Sequence, residues 1–69
     1  MTGEQVLQRT INNLSLYNMD ALLVDIKYLP CRVGDPIEKA FYKSLKRNGN
    51  LRTACRVARR VAKKFIGKV

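Results

Sequence analysis

Residues 17–30 read YNMDALLVDIKYLP, and the fold class turns on which period governs them. Read at the helical period, Asn18 is an N-cap, and Met19, Leu22, Leu23, Ile26 and Leu29 form an inward face. Read at the strand period, Leu22, Val24, Ile26 and Tyr28 alternate with Leu23, Asp25 and Lys27. A strand needs a partner, and no second β-rich run exists in the 69 residues. Helix is the favoured reading, with strand as the alternative. Pro30 ends the segment, because the residue before a proline avoids the α region.

Upstream, Thr2 followed by Gln5 has the capping-box spacing, in which each side chain satisfies an orphan backbone N–H. Val6, Leu7, Thr10, Ile11 and Leu14 then recur at helical spacing, predicting a first helix over about residues 3–16. Gln5, Gln8, Arg9, Asn12 and Asn13 take its polar face.

Downstream, PCRVGDP (residues 30–36) reads as a connector over 30–35. It leads into a helix start with Asp35 as N-cap, Pro36 in the first helical position and Glu38 in the third. Ile37, Ala40, Phe41 and Leu45 form its apolar stripe, with Lys39, Lys43, Lys46 and Arg47 outside. RNGN (residues 47–50) stops that helix, with Gly49 as the left-handed C-terminal residue. Asn50 caps a last helix running to about Phe65 or Ile66. Its inner face is Leu51, Ala54, Cys55, Ala58, Val61, Ala62 and Phe65.

These elements describe one all-α domain over residues 1–69, a small bundle of three or four short helices. Residues 1–29 make an apolar helical half, 30–35 the connector and 36–69 a basic helical hairpin. A hydrophobic content of 46% with only two prolines argues against disorder. No apolar run reaches the roughly 18 to 20 residues of a membrane span. MTGEQVLQRT lacks the basic start and apolar centre of a secretory signal, so the expectation is a soluble, cytoplasmic protein.

A domain this short buries only about 60% of the surface its unfolded chain exposes. Pairing would add core, and a homodimer face built on Leu16, Tyr17, Met19 and Leu23 is expected. The same surface would serve a protein partner.

The chemistry-bearing residues are few. Cys31 and Cys55 lie 24 residues apart and there is no histidine. The paired ligand spacings of a zinc site are therefore missing, and no metal or other cofactor is expected. Reduced thiols are the reading, with a disulfide as the alternative. The acids are scattered and no glycine-rich phosphate loop exists. Arg32 and Arg56 adjoin the cysteines and could lower a thiol pKa, but no general base or oxyanion site accompanies either. The chain does not read as an enzyme.

Charge is the informative property. Residues 1–38 hold five acids and three bases, a net of −2, whereas residues 39–69 hold eleven bases and no acid. Six of these cations, Arg52, Arg56, Arg59, Arg60, Lys63 and Lys64, share a last helix of roughly 25 Å at about 1.5 Å per residue. Arg52 and Arg56, Arg56 and Arg60, and Arg60 and Lys64 stand at i and i+4, where like charges repel by a few tenths of a kcal/mol. An ordinary solvated face mixes both signs.

The leading expectation is a small regulator that binds nucleic acid, DNA or RNA, through phosphate contacts from these six residues. Lys43, Lys46 and Arg47, with Lys39, would form a second row. The last two helices have the gross shape of a helix-turn-helix. Leu45, however, stands where that motif takes a small residue, and Asn50 where it takes an apolar one. A plain helical hairpin is expected. The alternative is a regulatory protein that docks on an acidic surface of a partner and inhibits or recruits it. A third reading, ARRVAKKFIGKV (residues 58–69) lying on anionic lipid, is the weakest, because the apolar face of that segment is needed as core cover.

Overall fold

Local capping chemistry sets most of the helix boundaries. The Thr2 hydroxyl accepts the Gln5 N–H at 3.2 Å while Gln5 Oε1 accepts the Thr2 N–H at 2.9 Å. This capping box opens α1 (Gly3–Ser15). Asn18 Oδ1 accepts the Ala21 N–H at 3.4 Å and opens α2 (Met19–Lys27). α3 (Cys31–Asn48) closes on Gly49 at φ 64°, and Asn50 caps α4 (Leu51–Lys63). These are the four helices of the computed structural model, which describes residues 2–69 and holds no strand among them. The chain is a small all-α bundle, and the stretch 18–29 contributes the helix Met19–Lys27 to it.

Between α1 and α2 the chain reverses in a Schellman turn. The Asn18 N–H reaches the Asn13 carbonyl at 3.0 Å and the Tyr17 N–H reaches that of Leu14 at 3.4 Å. The left-handed position belongs to Tyr17, at φ 56°, where glycine is usual.

One expectation about α2 is corrected, and one buried residue is new. Leu23 faces solvent and Asp25 is buried, at 3% exposure. At 100° per residue, Asp25, Ile26 and Leu29 all fall within about 60° of Leu22, the buried centre, while Leu23 lies about 100° away. The carboxylate is accommodated by two α1 side chains. Asn13 Nδ2 donates to Asp25 Oδ2 at 2.6 Å, and Arg9 Nη2 lies 3.4 Å from Oδ1.

The connector is also corrected. Residues 31–35 form the first turn of α3, Asp35 caps nothing, and Pro36 lies within the helix. The Pro30 carbonyl starts the helix instead, accepting the Val33 and Gly34 N–H groups at 2.9 and 2.8 Å. Packing explains the earlier start. A helix from Cys31 delivers Val33 and Ile37, one turn apart, to full burial. It also sets Gly34 against α2, where a Cβ would come within 3.0 Å of the Ile26 carbonyl oxygen. The missing N–H of Pro36 leaves the Arg32 carbonyl without its helical donor, a loss confined to the exposed end of the helix.

In space α1 packs on α2 and α4, and α3 packs on α4 and more lightly on α2. α2 and α4 therefore occupy opposite corners, with no Cα pair between them within 8 Å. Leu7, Leu14, Leu22, Val33 and Ile37 fill the centre, closed by Ala54, Cys55, Ala58 and Ala62 of α4. α4 stops at Lys63, a little earlier than its apolar period suggests. The Lys64 and Phe65 N–H groups turn back to Val61 and Ala62, both at 3.1 Å. The tail is held by Glu4 Oε1, which accepts the Gly67 N–H at 2.7 Å, and by Arg32 Nη1, which donates to the Lys68 carbonyl at 2.8 Å.

Candidate nucleic-acid interface

Because the inner face of α4 is alanine and cysteine, the rest of its circumference is free to carry charge. Arg52, Arg56, Arg60, Lys63 and Lys64 are all exposed, and Arg59 is half-buried. Arg59 sits on the α1 edge, where its Nη1 donates to Ser15 Oγ at 3.0 Å. Arg56, Arg59, Arg60 and Lys63, spaced i, i+3, i+4 and i+7, converge on one hollow of about 220 Å³. Arg52 stands at the start of the helix, its Cζ 5.6 Å from the centroid of the Tyr17 ring.

No carboxylate is paired with this surface among the described residues. Among the described residues, Arg56, Arg60, Lys63 and Lys64 have no ion-pair or hydrogen-bond partner. Five cations on one helix, with no acid on it and a sixth, Lys64, at its C-cap, make a strong local positive field. Such a surface is suited to binding a polyanion, and arginine's planar fork matches phosphate oxygens bidentately.

The second row expected on α3 divides. Lys43 and Arg47 flank the cleft between α3 and α4, which is also lined by Ala40, Ser44, Asn48 and Val57. Arg60, three residues beyond Val57, falls on the neighbouring edge of α4 but lines the hollow with Arg56, Arg59 and Lys63 instead. Lys46 and Lys39 are exposed further round α3. Lys39 shares a hollow with Asp35, Glu38 and Tyr42, where the charge is mixed.

The apolar candidates divide as well. Leu16, at 65% exposure, and Tyr17 form an exposed knuckle at the α1–α2 turn, beside the start of α4. Leu23 is exposed on the outward side of α2, and Met19 packs partly into the core. Both cysteines are free thiols, Cys31 exposed and Cys55 buried, and burial pushes the Cys55 thiol above its ordinary pKa. No helix is long and apolar enough to cross a membrane.

Reading the sequence alone missed the Asp25 cluster and the Ser15–Arg59 bond. Arg9, Asn13 and Asp25 share one seam between α1 and α2. The signal that was present is the charged residue on the arc that Leu22 and Ile26 define. Comparison with known proteins gives no match: no family model fits the chain, and no curated protein sequence or solved structure is significantly similar to it.

Proposed function

We propose that this protein binds nucleic acid through the phosphate backbone, using the outer face of α4 and the adjoining edge of α3. The single observation that supports the reading most is the convergence of Arg56, Arg59, Arg60 and Lys63 on one hollow, with no carboxylate paired to the α4 cations among the described residues. Holding like charges together costs the isolated chain a few tenths of a kcal/mol per pair. A polyanionic partner reverses that sign by releasing its condensed counterions. Arg52 and Lys64 extend the contact along the helix, and Lys43 and Arg47 widen it across the cleft. Side chains able to read base edges are scarce here, so binding is dominated by phosphate and only modestly selective for sequence.

The test is a fluorescence-anisotropy titration of labelled duplex and single strand at several salt concentrations. The expected result is log affinity falling linearly with log salt, with a slope near −0.9 per phosphate neutralised on duplex, for roughly four to six phosphates. Weak binding that salt leaves unchanged overturns the reading.

A second reading, docking on an acidic protein surface, is favoured by one observation. Tyr17 is exposed beside Arg52, and Leu16, its exposed neighbour in sequence, joins an apolar knuckle to the basic face. Leu16→Ser weakens such a complex and leaves phosphate binding unchanged.

A further inference from the structure

We infer that two copies of the chain pair through the outward face of α2, antiparallel about a two-fold axis. That face carries Asp20, Leu23, Val24, Lys27 and Tyr28, at i, i+3, i+4, i+7 and i+8, and all five are exposed. Val24 and Tyr28, at 54% and 74% exposure, are among the most open large apolar side chains of the protein. Leu23 and Val24 of α2 and Tyr28 at its C-cap are all exposed, Val24 and Tyr28 bordering a hollow shared with Gly3, Val6 and Arg9 of α1.

The occupant follows from the charges. Asp20 and Lys27 are the face's only ionic groups, opposite in sign and at opposite ends of α2. Neither has a hydrogen-bond or ion-pair partner among the described residues. A two-fold axis passing between Leu23 and Val24 sets Asp20 of each copy against Lys27 of the other, twice. The same axis sets Leu23 of each copy against Val24 of the other. Parallel pairing would oppose aspartate to aspartate and lysine to lysine. The antiparallel arrangement also opposes the two helix dipoles favourably. A self-complementary patch of this kind is what an isologous interface requires.

Whole-molecule charge selects the same face. A net charge of +9 repels a second copy from most directions, yet α2 lies in the half of the chain whose net is −2. It is also the helix diagonal to α4. Pairing here leaves both basic faces on the outside of the dimer, far from each other. Nine helical residues cover less than the ~800 Å² per partner of a standard interface, so the dimer is a weak, concentration-dependent one. The inference stands whether or not α4 binds nucleic acid.

Sedimentation equilibrium of the full chain over a wide concentration range, in about 0.15 M salt, tests the pairing. Wild type is expected to reach a closed dimer. Asp20→Lys alone and Lys27→Asp alone are each expected to raise the dimer dissociation constant at least tenfold with helical circular dichroism retained. An equimolar mixture of the two restores dimer, because the altered charges then complement one another. Val24→Glu, at an exposed site, also yields monomer. A monomeric wild type overturns the pairing, as does growth beyond dimer, which marks head-to-tail docking of α2 on a neighbour's basic face. Charge variants that self-associate like wild type, or Val24→Glu that does, overturn it equally.

Discussion

The Arg52 guanidinium, in the first turn of α4, lies 5.6 Å from the ring centroid of Tyr17, a residue held at φ 56° in the turn between α1 and α2. The left-handed conformation costs a non-glycine residue about 1–2 kcal/mol. An exposed cation–π contact returns about 0.5–1 kcal/mol. Tyr17→Ala keeps the strain and loses the contact, so urea unfolding is expected to show a loss of about 0.5–1 kcal/mol. Tyr17→Gly loses the contact and the strain together, and is expected to exceed Tyr17→Ala by about 1 kcal/mol. If alanine matches glycine, the turn holds no strain.

On the basic face, Arg56→Ala and Arg60→Ala are each expected to reduce the steepness of the salt dependence by about one unit. Both should leave stability level or raise it by a few tenths of a kcal/mol, since each removes like-charge repulsion. Arg56→Glu combined with Arg60→Glu abolishes binding while the helical spectrum persists. Lys39→Ala, in the mixed-charge hollow of α3, leaves affinity unchanged and serves as the control. Equal losses at Lys39 and Arg56 would mean that only overall charge matters.

Asp25 is expected to be the most sensitive polar residue of the interior. Asp25→Ala leaves the Asn13 amide without its 2.6 Å partner and costs about 1–3 kcal/mol. A double-mutant cycle with Asn13→Ala should return a coupling of at least about 0.5 kcal/mol. Arg9→Ala costs less, because more than half of its side chain is in solvent (56% exposed). A coupling of zero would assign the whole loss to the cavity.

The two thiols are expected to differ in kind. Cys31 is exposed and reacts with a thiol reagent at once, whereas buried Cys55 reacts only when the chain opens. Burial raises the folded-state pKa of Cys55. Its contribution to stability is therefore fully present below the ordinary thiol pKa of about 8.5 and is lost as pH rises through the raised folded value. Wild type should lose more stability than Cys55→Ala between pH 7 and pH 10 in paired urea titrations. Parallel curves would rule out the burial effect.

Features encoded within a few residues were legible in the sequence. Thr2 with Gln5, Asn18, Gly49 and Asn50 all act where their side chains or backbone freedom put them, because a cap is satisfied by groups three or four residues away. The start of α3 was not legible, although Asp35, Pro36 and Glu38 agreed on a local answer. A distant requirement overrode them: Val33 had to reach the core and Gly34 had to lie against the Ile26 carbonyl. The orientation of α2 was half legible. Its apolar residues outnumber the places available, so the choice between Leu23 and Asp25 as the buried residue depended on Asn13 and Arg9 arriving from α1. On α4 the cationic face could be read directly, since it follows from the period of the inner alanines. Which α3 lysines join it could not be read, because that depends on the angle at which the helices meet.

The alanine lining of α4 has a consequence for how the protein can change over generations. Ala54, Ala58 and Ala62 fix the spacing between α4 and its neighbours and contribute almost nothing to its outer contour. The two sides of the helix thus accept substitutions independently. Arg56, Arg60 and Lys63, which have no ion-pair or hydrogen-bond partner among the described residues, can be exchanged for lysine, glutamine or glutamate without disturbing an interior contact, whereas Arg52 and Arg59 are tied to Tyr17 and Ser15. The bundle is a holder, and the outer side of α4 is its interchangeable part.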